Sequence, residues 1–466
     1  MAKITFYGAA QEVTGSNHLL EVEGSRILLD CGMHQGGKQS EKRNSSAFPF
    51  DPHSIDAVVL SHGHLDHSGL LPKLFKDGYS GPVYCTQATR NLLAIMLEDA
   101  ANLQMRDVEW ENKRRERAGK SPLEPIYDLN DVVKVLEACV GLRYDELTEI
   151  TDNTKICFRD AGHIIGSAIV EIFTDEKGNK KKIVFSGDLG NPDSVLMHDP
   201  ASIGEADYVM MEGTYGDRNH RPLTNTLDEL EAILDEAYES GGNVLIPAFA
   251  VGRTQEMLFH LAVLFKQGKL KQQKIFLDSP MAIEVTRLYA EYMELLDKKD
   301  LDVISAHIGD GLDELLPSLT LTPTTDESMS INRIKRGAII IAGSGMCNGG
   351  RIRHHLKYNL WRNESHVIFP GFQAQGTLGR LIVDGATHVK MFGSVFAVRA
   401  KIHTLGGFSA HAGQSQLIDW ASQFKSKPRF CLVHGEADSL TELRRVLKSE
   451  LGLESDIPEE GTCITL

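Results

Sequence analysis

The sequence contains few cysteines, and they are not arranged in pairs. Its 466 residues include seven cysteines, which are scattered along the chain and never form a C-x-x-C motif. This pattern argues against a disulfide framework and against a thiolate zinc site. It favours a reducing, cytoplasmic compartment.

Long apolar runs are also missing. The composition is that of a globular protein, with 42% hydrophobic residues, but no unbroken apolar run has the length of about 20 residues that a membrane-spanning helix needs. The first residues, MAKITFYGAA, lack the apolar core of a signal peptide. We therefore expect a protein without a membrane segment.

Positive charge is scarce as well, because 49 Lys and Arg stand against 64 Asp and Glu, a formal net charge of −15. A protein that holds a polyanion electrostatically usually presents a basic face, and this balance excludes a broad one. Contact with a polyanion would be confined to a local groove, where bound divalent cations add positive charge.

The order of apolar runs and turns predicts two domains, one inserted into the other. A chain of this length usually forms more than one core. The first third reads as short strands bounded by glycine and proline, with a helical stretch at about 87–147, and suggests two packed sheets. Helices and apolar strands then alternate, which is typical of an α/β domain with a largely parallel sheet. The predicted boundaries are 1–215 and 400–466 for the outer domain and 216–399 for the insertion.

The strongest motif is SHGHLDHSG, which begins at residue 61 directly after the apolar run AVVL. In extended backbone His62 and His64 point the same way, so they can share one metal ion. Gly63 would let the chain pass close to that ion, and the following turn brings Asp66 and His67 towards a second one. Imidazoles and carboxylates are ligands that zinc accepts.

Three further polar residues follow apolar runs beside glycine and supply the missing ligands. They are His163, Asp188 and His434. Each is a weak signal alone, but together with the first motif they complete two ligand sets. Asp30, which ends another apolar run, is expected to orient a ligand histidine. Zinc fits these ligand types, although manganese can substitute in such a site.

With these residues the chain resembles the metallo-β-lactamase superfamily across its first two hundred and last seventy residues. The resemblance implies an α/β fold, an αβ/βα sandwich, with two zinc ions. The first ion would be held by His62, His64 and His163. The second would be held by Asp66, His67 and His434, with Asp188 bridging both.

The large insertion is similar to that of the β-CASP subfamily, whose members are nucleases. It follows the segment EGTYGDR and ends near GFSAH. In that subfamily an acid, here Glu212, pairs with a histidine, here His411, beside the leaving oxygen, and Asp66 orients the nucleophile. A histidine at the position of His434 characterises the RNA-directed branch. The resemblance thus implies a two-metal ribonuclease acting on single-stranded RNA.

Three glycine-rich loops after apolar strands could hold the RNA backbone. Backbone N–H groups at such loops bind phosphates, and arginine can add bidentate contacts. The candidates are Arg253, Ser344, Arg351 and Arg380, and for each arginine a purely structural role is as well supported.

Several alternatives stay open at this point. The same metals would serve a DNA nuclease or a small-molecule phosphodiesterase, whereas the complete ligand set argues against a non-catalytic scaffold subunit. Endonucleolytic and 5′-to-3′ exonucleolytic cleavage use the same residues. A homodimer is suggested by the tail Asp456–Leu466, which has no evident strand partner in the sequence.

Overall fold

The computed structural model describes residues 2–304 and 316–466, and the chain divides into two compact units. The first unit comprises Met1–Pro192, His198–Asn219 and His411–Leu466. The second comprises Asp193–Met197 and His220–Ala410. The chain of the second unit therefore interrupts that of the first.

The first unit contains two seven-stranded sheets. The strands of sheet 1, in spatial order, are β22 (Cys463–Thr465), β1 (Lys3–Gly8), β2 (Asn17–Val22), β3 (Ser25–Leu29), β4 (Ala57–Val59), β5 (Val83–Thr86) and β6 (Cys139–Leu142). Those of sheet 2 are β21 (Ser455–Asp456), β20 (Arg429–Val433), β11 (Tyr208–Glu212), β10 (Asn179–Phe185), β9 (Ala168–Glu176), β8 (Thr154–Asp160) and β7 (Thr148–Thr151).

The two sheets pack face to face over a shared apolar core. Phe6 and Leu20 from sheet 1 and Phe158 and Val170 from sheet 2 belong to one buried cluster. Alternation along each strand places such residues on the inner face, because successive side chains point to opposite sides. The predicted sandwich is confirmed.

Helices cover the outer face of each sheet. The helices of the first unit are α1 (Gly37–Ser45), α2 (Leu65–Ser68), α3 (Leu71–Lys76), α4 (Gln87–Arg117), α5 (Leu129–Ala138), α13 (Gln414–Ser422) and α14 (Ala437–Val446). Leu93 of α4 and Val132 of α5 pack on sheet 1, and Trp420 of α13 and Leu443 of α14 pack on sheet 2. The result is the helix–sheet–sheet–helix layering expected from the sequence.

The second unit is built on a six-stranded parallel sheet. Its strands, in spatial order, are β14 (Leu319–Leu321), β13 (Lys274–Leu277), β15 (Ala338–Ala342), β12 (Val244–Pro247), β16 (His366–Phe369) and β19 (Lys401–Thr404). The central strand β15, with the sequence AIIIA, is buried at every position, as parallel strands covered on both faces require.

Helices and a small hairpin complete the second unit. The helices are α6 (Leu223–Ser240), α7 (Arg253–Lys266), α8 (Pro280–Glu291), α9 (Lys298–Ile304), α10 (Thr325–Ile331), α11 (Ile352–Asn359) and α12 (Leu378–Val383). The hairpin pairs β17 (His388–Met391) with β18 (Ser394–Ala397).

Three details differ from the sequence-based expectations. The stretch 87–147 is not helical throughout, because it ends in β6, which pairs with β5 at the edge of sheet 1. The second unit runs to Ala410 and not to residue 399, because β19 joins the parallel sheet beside β16. The C-terminal tail is paired within the chain, since β21 adjoins β20 and β22 adjoins β1. The tail therefore gives no reason to expect a homodimer.

Across the two described stretches, none of the helices is both long and apolar enough to cross a membrane. All seven cysteines lie in these stretches as free thiols, and six of them are buried.

Candidate metal centre

The histidine motif follows β4 and is held in place through its backbone. Its second half forms the single turn α2, and the loop before β2 and the loop after β3 both contact the carbonyl groups of this turn. The amide of Cys31 donates to the carbonyl of His67, that of Met33 to Leu65, and that of Ser16 to Asp66, each at 2.8 Å. These bonds satisfy carbonyls that so short a helix leaves without partners.

Gly32 permits the close approach of this loop to α2. A Cβ atom at Gly32 would lie 1.7 Å from the carbonyl oxygen of Asp66, far inside van der Waals contact. Gly63 also makes room for packing, because a Cβ there would meet the Leu92 side chain of α4 at 2.9 Å. Its expected role beside an ion stays a prediction.

Four side chains form the first ligand group. His62 and His64 come from the motif, His163 from the loop between β8 and β9, and Asp188 from the loop after β10. The separations are 3.0 Å between His62 Nε2 and His64 Nδ1, and 3.3 Å between His163 Nε2 and His64 Nδ1. Asp188 Oδ2 lies 3.5 Å from His62 Nε2 and 3.6 Å from His163 Nε2.

A second group lies beside the first and consists of Asp66, His67 and His434. The Nε2 atoms of His67 and His434 are 3.1 Å apart. His434 Nε2 is 3.7 Å from Asp66 Oδ2. Asp188 Oδ1 completes the group at 3.3 Å from His67 Nε2. One carboxylate thus offers Oδ2 to the first group and Oδ1 to the second.

Both groups have the dimensions of divalent-metal sites. Four ligands at about 2.0–2.2 Å in a tetrahedron are about 3.4 Å from one another, and the separations in both groups scatter around that value. Asp188 is buried, and its Oδ1 has no hydrogen-bond partner among the described residues. An uncompensated buried carboxylate oxygen is costly, and a cation would satisfy it. The arrangement therefore fits bound divalent metal.

The pKa shifts of His62 and Asp66 agree with metal binding. Burial, reinforced by the nearby His67, lowers the pKa of His62 well below its usual value, so this imidazole is neutral, the form that ligates metal. Burial would raise the pKa of Asp66, but the close approach of His434 and the other neighbouring imidazoles lower it to about 2. Asp66 is therefore a carboxylate at neutral pH.

The pKa of His67 is shifted the other way. Burial lowers this pKa, but the carboxylates of Asp188 and Asp30 outweigh burial and raise it well above its usual value. This imidazole must therefore give up a proton when metal binds.

Asp30 supports this centre from behind. Its Oδ2 lies 2.7 Å from His67 Nδ1, and its Oδ1 accepts a hydrogen bond from the Ser61 amide at 2.8 Å. A carboxylate on Nδ1 fixes the tautomer that leaves Nε2 as the metal-binding atom. Asp30 itself has a left-handed backbone, with φ of 59°.

Glu212 and His411 form a pair next to the first group. Glu212 ends β11 and is fully buried. Its Oε1 lies 3.1 Å from His411 Nδ1 and accepts a hydrogen bond from the Leu189 amide at 2.7 Å. Burial lowers the pKa of His411, but the charges of Glu212 and Asp188 outweigh it and raise the pKa to about 9. A protonated imidazole is thus held beside the metal ligands.

Sequence patterns did not single out two residues that orient these ligands. Ser61 Oγ bonds to Asp30 and lies 3.1 Å from His62 Nδ1. Thr214 Oγ1 lies 3.2 Å from His434 Nδ1, and the Thr214 amide donates to Glu212. Both hydroxyls stand within two positions of a candidate ligand or acid in the sequence, which was the available signal.

The predicted phosphate-binding residues all lie in the second unit. Arg351 donates to Asp278 and to the carbonyls of Thr322 and Pro323, so its guanidinium is committed to the fold and its predicted phosphate contact loses support. Ser344 exchanges hydrogen bonds with Gly349 in its own loop.

The other two arginines also have carboxylate partners. Arg253 pairs with Glu256 in a largely buried setting, and Arg380 forms an exposed pair with Asp384. Exposed pairs of this kind are weak enough for a phosphate to displace. This reason applies to Arg380 and not to the largely buried pair of Arg253. Phosphate binding by both arginines stays a prediction.

Three family models match the chain. They are described as metallo-beta-lactamase superfamily domain, over residues 19–192, Beta-Casp domain, over residues 254–382, and Zn-dependent metallo-hydrolase RNA specificity domain, over residues 396–458. A crystal structure of a protein of unknown function from Enterococcus faecalis is similar over 100% of both chains with a TM-score of 0.54. Because the sequence identity is 14%, this similarity supports the fold alone.

Curated relatives match nearly the whole chain. Ribonuclease TTHA0252 of Thermus thermophilus is 42% identical over 447 residues, which cover 96% of each protein. Transcription termination factor FttA of Methanosarcina mazei is 30% identical over 469 residues, covering 97% of this chain and 70% of the relative. The chain therefore belongs to the β-CASP family of the metallo-β-lactamase superfamily.

Proposed function

We propose that this protein is a zinc-dependent ribonuclease that hydrolyses phosphodiester bonds of single-stranded RNA with two metal ions. The observation that carries the proposal is the position of Asp188, whose two oxygens face two separate ligand groups. The names of the relatives, a ribonuclease and a transcription termination factor, and the description of the C-terminal family model as an RNA specificity domain support RNA as the substrate.

The seven ligands divide between two zinc ions. The first ion is assigned to His62, His64 and His163, and the second to Asp66, His67 and His434, with Asp188 shared. When bound, such ions lower the pKa of water and stabilise the negative charge that builds up on a phosphate. Asp66, an ionised carboxylate at the edge of the second group, orients the attacking water.

Charge at the centre favours a phosphate despite the acidic chain. Two divalent ions against the carboxylates of Asp30, Asp66 and Asp188 leave a local charge of about +1. The protonated His411 and the carboxylate of Glu212 add no further net charge. A strongly negative protein can therefore attract RNA at this one place.

His411 supplies the proton that the leaving oxygen needs. A ribose alkoxide is a poor leaving group, and a general acid at that oxygen typically accelerates the reaction by about 10²–10⁴-fold. Glu212 holds the Nδ1 side of the ring at 3.1 Å, so Nε2 is the atom that delivers the proton. Leu189 and Thr214 in turn fix Glu212 through their amides.

The first test is cleavage of a 5′-monophosphorylated single-stranded RNA and of the DNA strand with the same sequence, in zinc or manganese. We expect RNA to be cut selectively, and His411→Ala to lower the rate by about 10²–10⁴-fold. His53→Ala is the matched control, since this histidine of the same unit is 71% exposed. The product ladder separates endonucleolytic from exonucleolytic action. Equal cleavage of DNA, or full activity in His411→Ala, would overturn the proposal.

A further inference from the structure

The second unit contains a separate group of metal-binding side chains. Glu236 of α6, His366 of β16 and His403 of β19 each offer one ligand atom, and these atoms lie within 4.8 Å of one another. No sequence motif marks these residues. All three come from regular secondary structure, which positions ligands more rigidly than loops do.

The two imidazoles face each other edge to edge through their nitrogen atoms. His366 Nδ1 and His403 Nε2 are 3.0 Å apart, and the rings are nearly parallel, with an interplanar angle of 4°. The parallel register brings this about, because His366 is opposite Lys401 and His403 is two positions further along β19, on the same face. His366 is fully buried, so its position is fixed by the core.

The other nitrogen of His366 has its own partner. Its Nε2 lies 3.4 Å from Ser240 Oγ, and that hydroxyl is also within 3.1 Å of the carbonyls of Ala237 and Glu364. A hydroxyl that donates to a carbonyl keeps its lone pairs for an incoming N–H. His366 then carries its proton on Nε2 and presents the lone pair of Nδ1 towards His403, which is how ligand histidines are usually oriented.

Glu236 adds the negative charge that a cation site needs. It precedes Ser240 by one helical turn on α6, so both residues lie on the same face of that helix. Its Oε1 is paired with Lys401. Both side chains of that pair are nearly half exposed, and exposed pairs of this kind contribute little and are easily exchanged.

We propose that Glu236, His366 and His403 bind a third divalent ion of the zinc class, separate from the metal centre of the first unit. Two imidazoles and one carboxylate suit zinc, and water would complete the coordination. The ion connects the edge strand β19 to β16 and α6. It would stabilise the folded second unit, because a metal that binds only the folded state adds its binding free energy to stability.

The test is the zinc content of the full-length protein after dialysis in zinc-buffered solution, together with its thermal unfolding. We expect His403→Ala to lose one equivalent relative to the unchanged protein and to lose the matching part of the zinc-induced rise in unfolding temperature. His388→Ala, an exposed histidine of the same unit, should lose neither. The result depends on a difference of one equivalent, so it holds whatever number of ions the first unit binds and whether or not RNA is cleaved.

Two further variants keep the test decisive if His403→Ala folds poorly. Glu236→Gln changes an exposed side chain without altering its shape, and we expect it to weaken zinc binding at this site about tenfold or more. Lys401→Gln removes the competing ammonium group and should strengthen binding. If Glu236→Gln and Lys401→Gln both leave the zinc content and affinity unchanged, the two histidines share only a proton and the proposal is wrong.

Discussion

Three buried carboxylates surround the metal centre, and their hydrogen bonds distinguish their roles. Burying a carboxylate is costly unless its oxygens are bonded. Asp30 accepts from Ser16, Ser61 and His67, and Glu212 is satisfied by two backbone amides and His411. Asp188 is different, because its Oδ1 has no such partner among the described residues. Bound divalent metal would complete this carboxylate, and the proposed function assigns it as a ligand that two ions share.

Asp30→Asn tests how far the support of one ligand histidine controls metal affinity. Asparagine tolerates the left-handed backbone at this position, but it loses the second acceptor oxygen and the negative charge behind His67. We expect zinc affinity to fall about 10- to 100-fold with little change in the fold. The measurement is competition with a chelator of known affinity, and the fold is checked by circular dichroism.

Asp56→Asn is the matched control for this substitution. Asp56 is exposed and directly precedes β4 of sheet 1. Its Oδ2 accepts a hydrogen bond from the amide of Arg26 in β3. Zinc affinity in this variant should equal that of the unchanged protein. If Asp30→Asn also retained full affinity, Asp30 would contribute to folding only.

The candidate metal ligands were easier to predict from the sequence than the candidate substrate-binding residues. His163, Asp188 and His434 were identifiable because each follows an apolar strand beside glycine, and the structure brings them together. No comparable local pattern distinguished a phosphate-binding arginine from a structural one. Arg351 looks like a phosphate ligand in the sequence, but Asp278, far from it in the chain, occupies its guanidinium. Local sequence patterns do not predict long-range partners of this kind.

At the scale of elements, the short helical turn α2 depends on hydrogen bonds from neighbouring loops more than on hydrogen bonds of its own. A helix of four residues makes almost no internal hydrogen bonds and is unstable alone. Two of its carbonyls accept from amides of the loop after β3, and a third accepts from the amide of Ser16, directly before β2. The loop after β3 can approach only because residue 32 is glycine. The geometry of Asp66 and His67 is therefore set by an element that is distant in sequence.

Gly32→Ala should disrupt this arrangement. The new methyl group would lie 1.7 Å from the carbonyl oxygen of Asp66, so the loop and α2 must separate. Overpacking of this kind typically costs about 1–3 kcal/mol, and we expect zinc binding to weaken as well. Gly204→Ala is the control, because a Cβ there meets nothing within 4 Å. Chemical denaturation would measure the free energy of unfolding of both variants. Equal stability of Gly32→Ala and Gly204→Ala would contradict this expectation.

The elements that sequence patterns misplaced are those at sheet edges. β6 has the sequence CVGL and follows α5 without a break, so the helical pattern before it concealed the strand. β19 was taken as a return to the first unit, although it completes the parallel sheet of the second. Edge strands are short and have one neighbour, so their identity is decided by pairing and not by their own composition.

At the scale of the whole molecule, the metal centre joins distant parts of the chain. His62 and Asp188 come from the first segment of the first unit, Glu212 from its second, and His411 and His434 from its third. Bringing such separated segments together carries an entropic cost that grows with the length of the intervening chain. Metal bound at this centre would offset the cost only in the first unit, because the seven candidate ligands all belong there.

Removal of metal by a chelator should therefore loosen the first unit selectively. A ligand that binds only the folded state stabilises it, and its loss lowers the free energy of local opening around the ligands. We expect faster amide hydrogen exchange in α2, in the loop that carries His163 and at the end of β20. The central strands β12 and β15 of the second unit contain none of these ligands, so their exchange should be unchanged. Asp188→Asn should reproduce the pattern without chelator, because the shared ligand serves both groups. Uniform acceleration across both units would mean that the metals stabilise the chain as one cooperative whole, and selective stabilisation of the first unit would be excluded.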